Sequence, residues 1–93
     1  MQFLVKIRLH LPADMDPEMR AQLREEERAR NAELEASGTI VRSWRIPGQP
    51  VSVAIWDASS TTALLDLIRS LPTFPWTATE ATPLVAKTSA KAA

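Results

Sequence analysis

Thr-Ile-Val-Arg-Ser-Trp-Arg-Ile at positions 39–46, Pro-Gly-Gln-Pro at 47–50 and Val-Ser-Val-Ala-Ile-Trp at 51–56 read as two strands joined by a turn. Both outer runs are rich in β-branched and aromatic residues, and the second alternates its faces. The four residues between them predict an antiparallel hairpin.

On each side of this hairpin stands a helical pattern. Upstream, Asp16 is a natural N-cap, Pro17 suits the first helical position and Glu18 complements the positive helix end. The helix is predicted over 17–36, with Gly38 as its stop signal. Downstream, residues 57–60 (Asp-Ala-Ser-Ser) open a second helix predicted to run to about 71, and Leu64, Leu67, Ile68 and Leu71 form its buried stripe. Farther out, residues 2–11 alternate cleanly. Phe3, Val5, Ile7, Leu9 and Leu11 point one way, with Leu4, Lys6, Arg8 and His10 pointing the other. Residues 77–85 form a last strand, which Pro83 places at an edge. The order is β-α-β-β-α-β. Two right-handed split crossovers then give a four-stranded antiparallel sheet with both helices on one face, the ferredoxin-like α+β plait. It is expected to occupy 1–86 as one domain, with 87–93 a disordered tail.

Apolar residues on the sheet's other face, read as Leu4, Trp44 or Val41, and Trp56, predict a dimer pairing sheet against sheet. Ninety-three residues is a short chain. A domain of this size hides only about 60–65% of its unfolded surface, so a partner subunit would help.

Composition removes several function classes. Eleven Lys and Arg balance eleven Asp and Glu. The cations are interspersed with acids, so no nucleic-acid or anionic-lipid footprint exists. The absence of Cys excludes a thiol nucleophile and a zinc–thiolate site, a single His excludes a histidine-cluster metal centre, and the absence of Tyr excludes a tyrosine acid or base. His10 reads as a strand-end surface or interface residue. No apolar run reaches the ~18 residues of a membrane span, and the N-terminus lacks a signal-peptide layout. A cytoplasmic protein is expected.

The first helix carries an anomaly. On a wheel of about 100° per residue, Met15, Met19, Leu23 and Leu34 define an apolar stripe. Its middle is filled by Glu26, Glu27 and Arg30 instead of large apolar residues. One reading is a solvated Glu26–Arg30 pair at i,i+4. The other takes Glu27, at the edge of the stripe beside Leu23 and Leu34, as a carboxylate at the mouth of a pocket between helix and sheet, placed to act as a general base.

The residues that surround Glu27 resemble a known family. Phe3 with Val5-Lys6, Leu11-Pro12, Asp14-Met15-Asp16-Pro17, Gln22-Leu23 followed by Glu27, and Gly38-Thr39 are matched without gaps. So are Trp44-Arg45-Ile46, Gly48, Asp57, Ser60, Ala63-Leu64, Asp66, and Leu71-Pro72 with Phe74-Pro75. Over residues 1 to about 83 the chain resembles muconolactone isomerases of the β-ketoadipate pathway. The resemblance implies sheet-to-sheet dimers assembled into a decamer, and a cofactor-free isomerase acting on a small molecule. Its reaction moves a proton along an unsaturated lactone, muconolactone, to give the enol-lactone of 3-oxoadipate. One base and stabilisation of a dienolate suffice for this, and the substrate's carboxylate calls for a cation. Glu27 is implied as the base and Arg45 as the group holding the carboxylate or oxyanion. Lys6, Trp44 and Phe74 are further candidates for contact with substrate, although Lys6 alternates away from Val5. Asp57 reads first as a turn or cap residue.

The chain departs from the family at Gln49 and Pro50, where His and Tyr are expected, at Val53, and at Leu65, where a His is expected. Such apolar replacements suit a relative acting on a less polar carbonyl substrate by isomerisation, cyclisation or dehydration. A non-catalytic ligand-binding module is the reading from another class. Fold alone does not choose between them.

Overall fold

A computed structural model describes residues 1–87. Its elements are β1 (Gln2–Leu9), α1 (Pro17–Ala36), β2 (Ile40–Arg45), β3 (Val51–Asp57), α2 (Thr61–Arg69), a short 3-10 turn (Phe74–Trp76) and β4 (Thr77–Leu84). The four antiparallel strands lie in the order β2-β3-β1-β4. This is the expected ferredoxin-like plait. Its edges are β2 and β4, so Pro83 sits where a missing N–H breaks no inner ladder.

Local chemistry sets the element ends. The Asp16 carboxylate accepts from the Met19 N–H at 3.2 Å, and Ser60 Oγ accepts from the Ala63 N–H at 3.0 Å. Each cap contributes about 1 kcal/mol. Gly38 closes α1 with φ +82°, and Gly48 turns the hairpin with φ +77°. Both positions use the left-handed region that glycine enters without a Cβ penalty.

Three boundaries differ from expectation by two residues or more. The first strand stops at Leu9 instead of Leu11, because its partners β3 and β4 begin at Val51 and Thr77, and past it the His10 N–H still donates to Trp76 O at 2.7 Å before the chain leaves the sheet. The second helix starts at Thr61 instead of Asp57, which ends β3 and holds the N-terminal ammonium at 3.0 Å. It also ends at Arg69, with Ser70 as its C-cap. The expected tail falls on 88–93, outside the described residues, and Lys87 lies outside any element.

The core forms on one face of the sheet. Phe3 pairs with Trp56 and Val5 with Ala54 across β1 and β3, and Ile40 of β2 pairs with Trp56 on the other side. Leu34 of α1 and Leu64 and Ile68 of α2 pack into the same cluster, so both helices cover this face. Trp56 is 2% exposed. The expectation that it lies on the open face is therefore corrected. It stands in register with Phe3, and the largest ring of β3 goes where two helices remove it from water. The open face carries the exposed apolar side chains Leu4 and Trp44, with Val41 at its edge.

Candidate active site

The strand β2 does not alternate regularly. Ile40 pairs with Trp56, but Arg42 already pairs with Ile55, so Val41 is an extra residue, a β-bulge. Beyond it Ser43 pairs with Ala54 and Arg45 with Ser52, while Trp44 pairs with Val53. Cross-strand partners share a face. Ser43 and Arg45 thus join Ala54 and Trp56 on the helix-covered face, and Trp44 turns to the open face.

Opposite them runs α1. Its inward side is Arg20, Leu23, Glu27, Arg30, Asn31 and Leu34, which are half-buried or buried, whereas Met19 is 50% exposed. Glu27 therefore stands at the middle of the inward stripe and not at its margin. The Glu26–Arg30 pair is not formed. Glu26 accepts from Gln22, and Arg30 bonds Glu33 at 3.1 Å and Ser70 Oγ through two nitrogens at 2.9 and 3.1 Å. Arg30 thereby fastens α1 to the end of α2.

Just past that contact, α2 gives way to Leu71-Pro72-Thr73. The Thr73 N–H donates to Glu27 Oε1 at 3.1 Å. This bond orients the carboxylate. Its second oxygen has no hydrogen-bond partner among the described residues, and Glu27 forms no ion pair among them.

Between α1 and the sheet lie two adjoining cavities of about 290 and 250 Å³. Glu27, Asn31, Arg45, Ile7 and Ser52 border both. They form the waist of a single cleft. One lobe runs over Val5, Ala54 and Trp56 toward Glu35; the other runs toward Leu9, Gln49 and Pro50. A carboxylate on the helix thus faces a guanidinium on the strand across a space that accepts a small molecule. The arrangement suits removal of a carbon-bound proton from an anionic substrate.

Of the candidates read from the sequence, Glu27 and Arg45 are brought together here. Lys6 pairs with Val53 and Glu80 and is exposed on the open face, away from the cleft. The indole of Trp44 lies under the Arg42 guanidinium at 5.3 Å on that same face, although Trp44 borders one lobe along β2. Phe74 packs against the core from the 3-10 turn and borders neither cavity. Among the four departures, Gln49 and Pro50 border the cleft, whereas Val53 lies on the open face and Leu65 is 41% exposed on α2. Asn31, Ser43 and Ser52 were not singled out by sequence reasoning. Asn31 had a usable signal, since it follows Glu27 by one helical turn.

Comparison with known proteins then decides the family. The model of the muconolactone delta-isomerase family matches residues 1–90. The chain belongs to that family. A muconolactone delta-isomerase of Pseudomonas putida is 38% identical over 76 residues, covering 82% of this chain and 79% of that one. The Rhodococcus opacus muconolactone delta-isomerase is 35% identical over 82 residues, 88% of each chain. A crystal structure of muconolactone isomerase superposes with TM-score 0.89 at 36% identity, covering 96% of this chain and 93% of the other. A Burkholderia phenoliruptrix dehydrochlorinase at 18% identity and TM-score 0.69 shares the fold. Membership in the muconolactone delta-isomerase family makes the chain an isomerase-type enzyme, and the reading as a non-catalytic module gives way. No helix among the described residues is long and apolar enough to cross a membrane.

Proposed function

We propose that the chain isomerises muconolactone to the enol-lactone of 3-oxoadipate, with Glu27 as the only base. The observation that carries this reading is the Glu27 carboxylate at the waist of the cleft, one oxygen held by Thr73 N–H and the other open, across from Arg45. The free oxygen takes the proton from the ring γ-carbon. The electron pair moves into the ring and onto the carbonyl oxygen, giving a dienolate. The same oxygen returns the proton to the α-carbon on the same ring face, and the carbonyl reforms. No net proton or electron leaves the site. A spectroscopic assay of the purified protein with muconolactone tests the assignment, and absence of turnover by folded protein overturns it.

Arg45 binds the substrate carboxylate in this reading. It makes no side-chain hydrogen bond or ion pair among the described residues. A charge-assisted hydrogen bond of about 1.5–3 kcal/mol corresponds to about a ten- to hundredfold change in affinity. Arg45→Ala is expected to raise KM by that factor with a smaller change in kcat, and Arg45→Lys to recover part of it. An unchanged KM removes Arg45 from substrate binding.

Gln49 and Pro50 on the cleft wall favour a second reading, in which the same base serves a less polar carbonyl compound. Turnover of such a compound with muconolactone inert would select it.

We further propose that the open sheet face joins two copies. Leu4, Val41 and Trp44 are 37%, 53% and 46% exposed there, and large apolar side chains exposed on one face mark an interaction surface. Light scattering should give at least twice the chain mass. A monomer at micromolar concentration overturns this.

A further inference from the structure

The cleft contains one uncharged amide whose presence packing does not account for. Asn31 lies on the inward side of α1, half-buried, and borders both lobes. Its side chain makes no hydrogen bond among the described residues. An amide open to the cleft and held by no protein partner is free to bond a ligand, and Ala would serve a helix better at a position chosen for packing alone. Asn31 follows Glu27 by four residues, so the two side chains stand one above the other with Cβ atoms about 5–6 Å apart.

We propose that the Asn31 amide donates a hydrogen bond to the lactone carbonyl oxygen and stabilises the negative charge that gathers there as Glu27 removes the proton. This rests on the isomerase reading above. The geometry follows from the substrate. The carbonyl oxygen lies two bonds from the α-carbon that Glu27 reprotonates, so a donor a few ångströms from the base, one helical turn along α1, is within reach of it. Arg45 stands on the opposite wall and is engaged by the carboxylate. The chemistry also favours an amide over a cation. A Lys or Arg at position 31 would pair with Glu27 at i,i+4 and reduce its basicity, whereas a neutral donor strengthens its bond as the oxyanion forms and leaves the base free.

Two readouts test the proposal. In the first, Asn31→Ala is expected to lower kcat on muconolactone about 10²-fold, as removal of a single oxyanion donor does, with KM changed less than about threefold. Ala is the better helix former, so circular dichroism and the thermal midpoint should not fall. Asn31→Asp keeps the shape but replaces the donor by a carboxylate and should be no more active than Asn31→Ala. In the second, muconolactone labelled with carbon-13 at the ring carbonyl is bound to Glu27→Gln, and its carbonyl stretch is read by infrared difference spectroscopy. A downshift relative to water that is lost in Glu27→Gln/Asn31→Ala supports the proposal even if wild-type turnover is absent, in which case only the isomerase reading fails. An identical stretch in both variants, kcat of Asn31→Ala within threefold of wild type, or no bound lactone overturns it.

Discussion

Glu27→Gln is expected to lower kcat on muconolactone by about 10²–10⁴-fold, the range that a positioned general base supplies. The amide retains the length of the side chain and still offers an oxygen to the Thr73 N–H, which donates to Glu27 Oε1 at 3.1 Å. Fold and cleft shape are therefore preserved, and KM should stay within a few-fold. Glu27→Asp keeps the charge but withdraws it by one methylene from a target about 3–3.5 Å away, so it too should lose much of the rate. The measurement is steady-state turnover together with uptake of solvent deuterium at the α-carbon. A Glu27→Gln enzyme within tenfold of wild type would transfer the base role to another group.

Trp56→Ala should have the largest effect on stability. The indole is 2% exposed and packs with Phe3, Val5, Ile40 and Leu64 in the cluster that joins sheet and helices. Truncating a buried Trp costs about 3–5 kcal/mol, from lost transfer energy and the cavity left behind. A domain of this length has roughly 5–14 kcal/mol in total. The variant is expected to be marginally folded or unfolded near 37 °C, read as a fall in urea midpoint at unchanged slope. Leu65→Ala provides the contrast. Leu65 is 41% exposed, and its removal should change stability by less than about 0.5 kcal/mol. Equal effects of the two substitutions would place Trp56 outside the core.

The fold was legible because its signals are local. Asp16-Pro17, Ser60, Gly38 and Gly48 mark ends that need only neighbouring atoms, and the alternation of β1 is unbroken from Phe3 to Leu9. The expected Glu27 and Arg45 do meet at one cleft, but the helical wheel offered a pocket-mouth Glu27 only as one of two readings, and Arg45 came from the family resemblance. Met19 is apolar yet half exposed, and it draws the apparent stripe of α1 away from Glu27. The true centre is fixed by Arg30 binding Ser70 and by Thr73 reaching Glu27, contacts across about 40 residues or more that no periodicity encodes. Trp56 was misplaced for a related reason. In β3, Val51, Val53 and Ile55 are as apolar as Ala54 and Trp56, so alternation does not say which set faces the helices. Register with Phe3 says it.

The bulge at Val41 has a consequence for how such a cleft changes over generations. Whether a β2 side chain enters the cavity depends on whether an odd or even number of residues separates it from Ile40, and Val41 is the extra count. Ile40 and Arg45 lie five residues apart, which on a regular strand would set them on opposite faces, and the bulge absorbs the odd residue so that both face the helices. Straightening the bulge with Val41 kept in the ladder would carry Arg45 outward and Trp44 inward with neither residue substituted, whereas deleting Val41 would leave the pairing as it is. The cleft wall would then exchange a guanidinium for an indole in one step. An edge strand tolerates the gain or loss of a bulge better than an inner one, since it has a ladder on one side only. The chemistry of the wall is thus open to abrupt revision through a bulge, alongside the gradual route of point replacement at positions such as Asn31.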